Sequence, residues 1–272
     1  MEAVFTRLET ALRVTGAFPP ADPEDPAGEV EKEPPSTLLW LLFLLAQHHD
    51  RRRNTHAALQ CIDEAILHTP TVADLYLVKG RILKHGGDPV GAAELADEAR
   101  SMDLADRFLN SEAVKRMLQA DQVALAERTA GLFTRDGEQA DTLFEMHCMW
   151  YELACGDSHV RQGAVGKALK KYLATHKHYS DMLEDQFDFH TYCLRKMTLR
   201  AYVAMFKWAD NLHAHRYFCK GAHGAIRCYL RLHDHPPSKQ AEEEEAAMAA
   251  LSAADRKKLR QKQRKAEARA KK

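Results

Sequence analysis

LWLLFLLAQHHDRRRNTHAALQCIDEAILHTP, residues 39–70, is followed by ADLYLVKGRILKHGGDPVGAAELADEARSMDL, residues 73–104, and the two stretches match at a lag of 34 residues. Ala46, Ala58, Ile62, Ala65 and Pro70 of the first align with Gly80, Ala92, Ala96, Ala99 and Leu104 of the second. Two helices cross closely only where side chains are short, so small residues at these points predict a repeated helix pair. A 34-residue period of that kind is the tetratricopeptide spacing.

A third, weaker copy keeps Val114, Ala126, Ala130 and Phe133 in register, and a fourth follows eight extra residues later with Gly156 and Ala168. First helices are expected over about 37–49, 73–85, 106–119 and 141–157, and second helices over about 54–67, 88–101, 122–134 and 161–178. Asn54, Asp88 and Asp121 are placed to cap or lead into second helices. Beyond Asp185 the lag is lost, while apolar helical spacing persists through Phe189, Tyr192, Cys193, Met197, Leu199, Tyr202 and Phe206. Helices over about 211–233 continue the pattern. The fold class expected is all-α, a tetratricopeptide-like helical-hairpin solenoid with a charged C-terminal tail.

Three segments follow. Residues 1–36 read as a short amphipathic helix, with Val4, Phe5, Leu8, Leu12 and Val14 on one side, and then an acidic loop containing Pro19, Pro20, Pro23, Pro26, Pro34 and Pro35. Residues 37–235 carry the repeats. Residues 236–272 form a charged tail, either unfolded or a lone helix, because its basic stretch has almost no apolar face.

Lys and Arg number 39, as do Asp and Glu, yet the balance hides an acidic stretch near residues 22–33 and a strongly basic end. Cys61, Cys148, Cys155, Cys193, Cys219 and Cys228 form no CxxC pair and fall in apolar helical patterns, as buried thiols in a reducing compartment do. The longest apolar run, Leu38 to Ala46, is about half of the roughly 20 residues a membrane helix needs, and charged residues interrupt the N-terminus. A soluble intracellular protein without a membrane partner is expected.

No catalytic or metal-binding residues emerge. Arg161-Gln162-Gly163-Ala164-Val165-Gly166-Lys167-Ala168 approaches a coenzyme-binding loop, but Val165 stands where glycine is required and Gly166-Lys167 lacks a following Ser or Thr. The histidine pairs His48/His49, His176/His178, His213/His215 and His233/His235 are spaced so that their rings point to different sides of a helix. Lys79, Arg81, Lys84 and His85 lie at the end of one first helix, with Arg51 to Arg53 at the matching turn one repeat earlier. Such charges complement a helix C-terminus. In the tail, Arg256, Lys257, Lys258, Arg260, Lys262, Arg264 and Lys265 are candidate contacts for RNA phosphates, without aromatic residues for base stacking.

Thr37-Leu38-Leu39-Trp40, Leu44-Leu45-Ala46-Gln47-His48, Asp106-Arg107-Phe108-Leu109-Asn110-Ser111, Phe133-Thr134-Arg135 and Asp185-Gln186-Phe187-Asp188-Phe189-His190-Thr191-Tyr192-Cys193 resemble the auxiliary subunit of the N-terminal acetyltransferase A complex. The resemblance runs in order from about residue 5 to the basic tail. It implies a non-catalytic scaffold that wraps a small acetyl-coenzyme A-dependent catalytic subunit and carries it to the ribosome in the cytoplasm; the basic tail adds nuclear import, and so the nucleus, as a second expectation. It implies substrates that are nascent chains with the initiator methionine removed, and no small-molecule substrate of the scaffold's own. Members hold inositol hexakisphosphate between the two subunits as a structural ligand, which makes Lys79, Arg81, Lys84 and His85 its candidate contacts here. Family members are far longer, so this chain is expected to represent a middle-to-late portion. The alternatives are a generic tetratricopeptide adaptor and an RNA-associated protein acting through its tail. Phe187, Phe189, Tyr192 and Trp208 are candidate interface aromatics whose residue types occur more often in cores.

Overall fold

One backbone residue per repeat folds each helix pair back on itself. The computed structural model of the chain describes residues 2–19, 32–134, 140–184 and 198–236. Its helices are α1 (Glu2–Thr15), α2 (Pro35–Arg51), α3 (Thr55–His68), α4 (Ala73–His85), α5 (Pro89–Met102), α6 (Arg107–Gln119), α7 (Val123–Gly131), α8 (Ala140–Glu145), α9 (Met149–Arg161), α10 (Val165–Glu184), α11 (Leu199–Ala209) and α12 (Arg216–Asp234). Between the two helices of the first three pairs stand Arg53, Gly87 and Asp121, with φ of 61°, 94° and 61°. This left-handed backbone recurs at the sequence lag.

Each such residue ends its helix in a Schellman cap. The N–H of the next residue, Asn54, Asp88 or Gln122, donates to the carbonyl of His49, Leu83 or Met117 at 3.0, 2.9 and 2.9 Å. The same residue then begins the second helix. Asn54 Oδ1 accepts from the Ala57 N–H at 3.3 Å and Asp88 Oδ1 from the Gly91 N–H at 2.9 Å, as their side chains predict. Asp121 does not cap: the capping position is Gln122, which makes no side-chain cap bond, and Asp121 is the left-handed residue before it.

Packing follows the aligned small residues. Ala58, Ile62 and Ala65 on α3 and Ala92, Ala96 and Ala99 on α5 are buried, as is Ala126 on α7. A Cβ added at Gly80 would come within 3.1 Å of the Ala92 carbonyl, so α4 and α5 approach closely at that point. Leu39, Leu42, Leu75 and Ile82 fill the space between the first two pairs. Each second helix lies against the next first helix, α3 on α4 and α5 on α6. Leu12 of α1, flanked by Phe5 and Leu8, rests on Leu41 and Leu45 of α2, and Arg13 Nη2 donates to Glu64 Oε2 at 2.7 Å.

The expected helix over 141–157 is two helices. The Cys148 N–H donates to the Leu143 carbonyl at 3.0 Å with His147 at φ 51°, the same cap that ends the first helices, so α8 stops and α9 starts afresh. Helices α4, α6 and α9 begin at residues 73, 107 and 149, and α3, α5, α7 and α10 at 55, 89, 123 and 165. The offset of eight therefore falls entirely between the starts of α7 and α9. The second helix expected over 161–178 is displaced to Val165–Glu184.

The chain divides into two compact units, Met1–Gln162 and Gly163–Lys272. In the second, α12 packs along α10 through a slot made by missing side chains. A Cβ at Gly221 would meet Thr175 Cβ at 3.2 Å, and one at Gly224 would meet the Tyr172 ring at 2.5 Å. The His215 side chain accepts from the Tyr217 N–H at 3.3 Å and caps α12, while Tyr179 packs edge-on against Phe218 at 5.3 Å. Among the described residues every element is helical, and no helix is long and apolar enough to cross a membrane. The acidic loop over 20–31, the Asp185–Cys193 string with Phe187, Phe189 and Tyr192, and the tail from 237 lie outside the described residues. Cys219 is exposed, unlike the buried thiol expected, because it lies on the side of α12 away from α10. Trp208 is exposed too.

Three substitutions test this account. Arg53→Gly relieves a left-handed L-residue and should raise stability by about 0.5–1 kcal/mol after the loss from a more flexible unfolded chain, read as a higher urea midpoint. Gly224→Ala drives a methyl into the buried Tyr172 ring and should cost about 1–3 kcal/mol in the same measurement. Gly166→Ala, with nothing near its added Cβ, should be neutral or stabilising by up to about 1 kcal/mol.

Candidate functional site

The basic residues at the ends of the first helices do not all stay available. Asp50, almost fully buried at the end of α2, accepts from His85 Nδ1 at 2.8 Å and lies 3.6 Å from Arg81 Nε. Arg81 Nη2 also donates to Gln47 Oε1 at 3.0 Å. Lys79 pairs with Asp63 at 2.9 Å. These contacts tie α4 back to α2 and α3, so Lys79, Arg81 and His85 already serve the stack. A buried carboxylate keeps its charge only with partners of this kind.

Lys84 differs. It makes no ion pair among the described residues, and its ammonium is pushed below the usual lysine range by burial and then by the charges of Arg116 and Arg81, with Asp50 and Glu112 opposing. Packing therefore brings the α6 residue Arg116 to the predicted group, a neighbour that reading along the sequence missed. Arg116 and Lys115 share Glu112, at 3.5 and 2.7 Å, and Lys115 Nζ stands 5.2 Å from the Trp150 ring centroid. Among the described residues the charges that act on Lys84 are thus two cations, Arg116 and Arg81, and two carboxylates, Asp50 and Glu112. The excess positive charge is the arrangement that binds a multivalent anion.

A second network repeats the tie two hairpins later. Asp121 Oδ1 accepts from Ser158 Oγ at 2.8 Å and Arg161 Nε at 2.9 Å, while Arg161 Nη2 reaches the Leu118 carbonyl at 2.7 Å and Gln162 Nε2 the Asp121 carbonyl at 2.8 Å. Burial acts to raise the Asp121 carboxyl, but the bonds from Arg161 and Ser158 outweigh it and hold it below the usual carboxylate range. Arg161 and Gln162 are the first residues of the loop that resembled a coenzyme site. Here they fasten α9 to the α6–α7 turn, and Gly163 at φ 77° continues as a turn residue.

Three of the four histidine pairs set one ring against a near neighbour. His48 lies edge-on to Phe5 at 5.6 Å, His213 lies edge-on to Phe218 at 4.7 Å, and His233 pairs with its neighbour Asp234 at 3.3 Å. The RNA candidates Arg256, Lys257, Lys258, Arg260, Lys262, Arg264 and Lys265 lie outside the described residues.

Comparison with known proteins gives this geometry a context. The profile of the family described as "N-terminal acetyltransferase A, auxiliary subunit" matches residues 1–272. The N-terminal acetyltransferase A complex auxiliary subunit NAA15 of Arabidopsis thaliana is 60% identical over 260 residues, which are 96% of this chain and 28% of the relative. Human N-alpha-acetyltransferase 16, NatA auxiliary subunit, is 42% identical over 271 residues, 99% of this chain and 31% of the relative. A solved structure titled "Structure of Naa15/Naa10 bound to HypK-THB" superposes with a TM-score of 0.71 at 38% identity, covering 74% of this chain and 32% of that one. The chain spans less than a third of the length of each. With the helix-hairpin stack and the match along every residue, this chain belongs to the auxiliary-subunit family of N-terminal acetyltransferase A.

Proposed function

We propose that this chain forms part of a non-catalytic scaffold that holds a small, acetyl-coenzyme A-dependent N-terminal acetyltransferase subunit and supports acetylation of nascent chains at the ribosome. The family match across all 272 residues carries the proposal. The structural neighbour, titled as Naa15/Naa10, supports it. Repeated hairpins offer successive first helices as an extended binding surface. The one glycine loop that resembled a coenzyme site has its leading side chains bonded to Asp121 and Leu118, which favours a structural role over chemistry. The substrates are chains that expose a small residue after methionine removal, and the location is the cytoplasm with the nucleus as a second site. Affinity purification of this chain followed by an N-terminal acetylation assay should recover a small acetyltransferase and its activity; recovery of RNA alone would favour action through the basic tail.

Lys84, Arg81, Lys115 and Arg116 form, on this reading, the site of a structural polyanion such as inositol hexakisphosphate. The observation behind it is the unpaired Lys84 beside two other cations. Lys84→Ala and Arg116→Ala should each weaken inositol hexakisphosphate binding about tenfold by calorimetry, the value of one charge-assisted contact. Lys79→Ala should do less, since Lys79 is engaged by Asp63. The ligand-free chain should respond oppositely. A lysine depressed in the folded state binds fewer protons there than in the unfolded chain, so stability should rise as pH climbs from the lowered value toward the ordinary lysine range. Lys84→Gln should raise the ligand-free melting temperature at neutral pH and flatten that rise.

A further inference from the structure

Helix α12 is seated along α10 on one face and bare on the other. Gly221, Gly224, Ala225 and Cys228 are buried toward α10. On the opposite side Cys219, Ile226 and Leu230 recur at intervals of seven and four, which places them in one row along the helix. Ile226 and Leu230 are each 58% exposed, and Tyr229 beside them is 54% exposed. An aliphatic row on a packed helix is a ridge against which a second helix can seat.

Charge selects the kind of helix. Arg216, Lys220, Arg227 and Arg231 recur at intervals of four, seven and four, so they form a second row along one border of the first. All four are exposed, and none has an ion pair among the described residues. No Asp or Glu occurs between Arg216 and His233, and from Leu199 to His233 a single carboxylate, Asp210, stands against six Lys and Arg. The adjoining helix does not supply the missing charge. Gly224 lies at Tyr172 and Gly221 at Thr175, so α10 runs antiparallel to α12 and sets Lys170 and Lys167 level with Ile226 and Tyr229. Along α10 no carboxylate precedes Asp181, which Lys177 engages at 2.5 Å. A solvated face ordinarily mixes charges of both signs, whereas an aliphatic row bordered by cations alone complements an acidic amphipathic helix.

We propose that this face of α12 is the docking surface of an acidic amphipathic helix from a partner protein. Its aliphatic stripe lies along Ile226 and Leu230, and the carboxylates on one border of that stripe pair with Arg227 and Arg231. A second copy of α12 is disfavoured because it brings further cations and no matching carboxylates. RNA is disfavoured because aliphatic side chains form the centre of the face, and an anionic lipid surface because Lys and Arg border the row on one side alone.

Fluorescence anisotropy with the full chain and two synthetic peptides tests it. Both peptides are amphipathic helices of about 18 residues with leucines alternately three and four residues apart; one carries a row of glutamates beside the leucines, the other lysines in the same places. The glutamate peptide should bind saturably and about tenfold or more tightly than the lysine peptide, and should slow maleimide labelling of Cys219 by a similar factor. Arg227→Glu with Arg231→Glu should reverse the preference, a gain that a misfolded chain would not show. Ile226→Asp with Leu230→Asp should abolish binding of both peptides without changing the helical circular dichroism; if the dichroism changes, the charge reversal alone carries the test. Equal affinity for the two peptides, no reversal by the paired glutamates, or Cys219 labelling untouched by bound peptide would each overturn the proposal. Protection of Cys219 by poly-uridine RNA, by phosphatidylcholine and phosphatidylserine vesicles or by raised protein concentration, and not by the glutamate peptide, would overturn it in favour of those occupants.

Discussion

Everything in the repeat unit depends on a left-handed backbone at one position in 34. A helix that simply continued would carry its apolar stripe away from the preceding pair, and a flexible loop would leave the crossing angle unset. The Schellman cap at Arg53, Gly87 and Asp121 does neither, because the residue that closes one helix is followed directly by the residue that opens the next. The second helix starts at a fixed angle and register. Only then do Ala58, Ala92 and Ala126 fall on the small residues across from them.

Charge does the second job, joining one pair to the next. Asp50 with His85 and Arg81, and Asp121 with Ser158 and Arg161, each link a turn to the following first helix. Both carboxylates sit where a hairpin turns, and both accept from residues about one repeat ahead. Lys84 stands beside these networks without an ion pair among the described residues, its ammonium held below the usual lysine range by burial and by Arg116 and Arg81.

The sequence made the period, the helix starts and the small contacts legible, because each rests on a local rule that residue type alone satisfies. Asn54 and Asp88 could be read as caps for that reason. Asp121 could not, since the same residue type serves as the left-handed position when the capping place, one lag beyond Asp88, holds Gln122. The break at His147 was hidden because a Schellman cap without glycine leaves little trace in composition. Arg116 escaped notice at the basic group for a different reason: its proximity to Lys84 comes from α4 and α6 packing, not from spacing. In α12, spacing predicted only helix over about 211–233, and it is the packing of Gly221 and Gly224 on α10 that tells which face is buried.

The offset of eight residues ahead of α9 has a consequence for how such arrays change length. The starts of α4, α6 and α9 keep their spacing once that offset is removed, so the stretch between α7 and α9 is outside the arithmetic that sets the stack. Lengthening a surface connection costs only a logarithmic penalty, about 0.6 kcal/mol per doubling. Material added there leaves every cap and every small-residue contact in phase, whereas one residue added inside a hairpin would rotate a helix by about 100° and expose its buried stripe. The stretch is a splice point: the array can diversify in content at that position while its framework stays unedited.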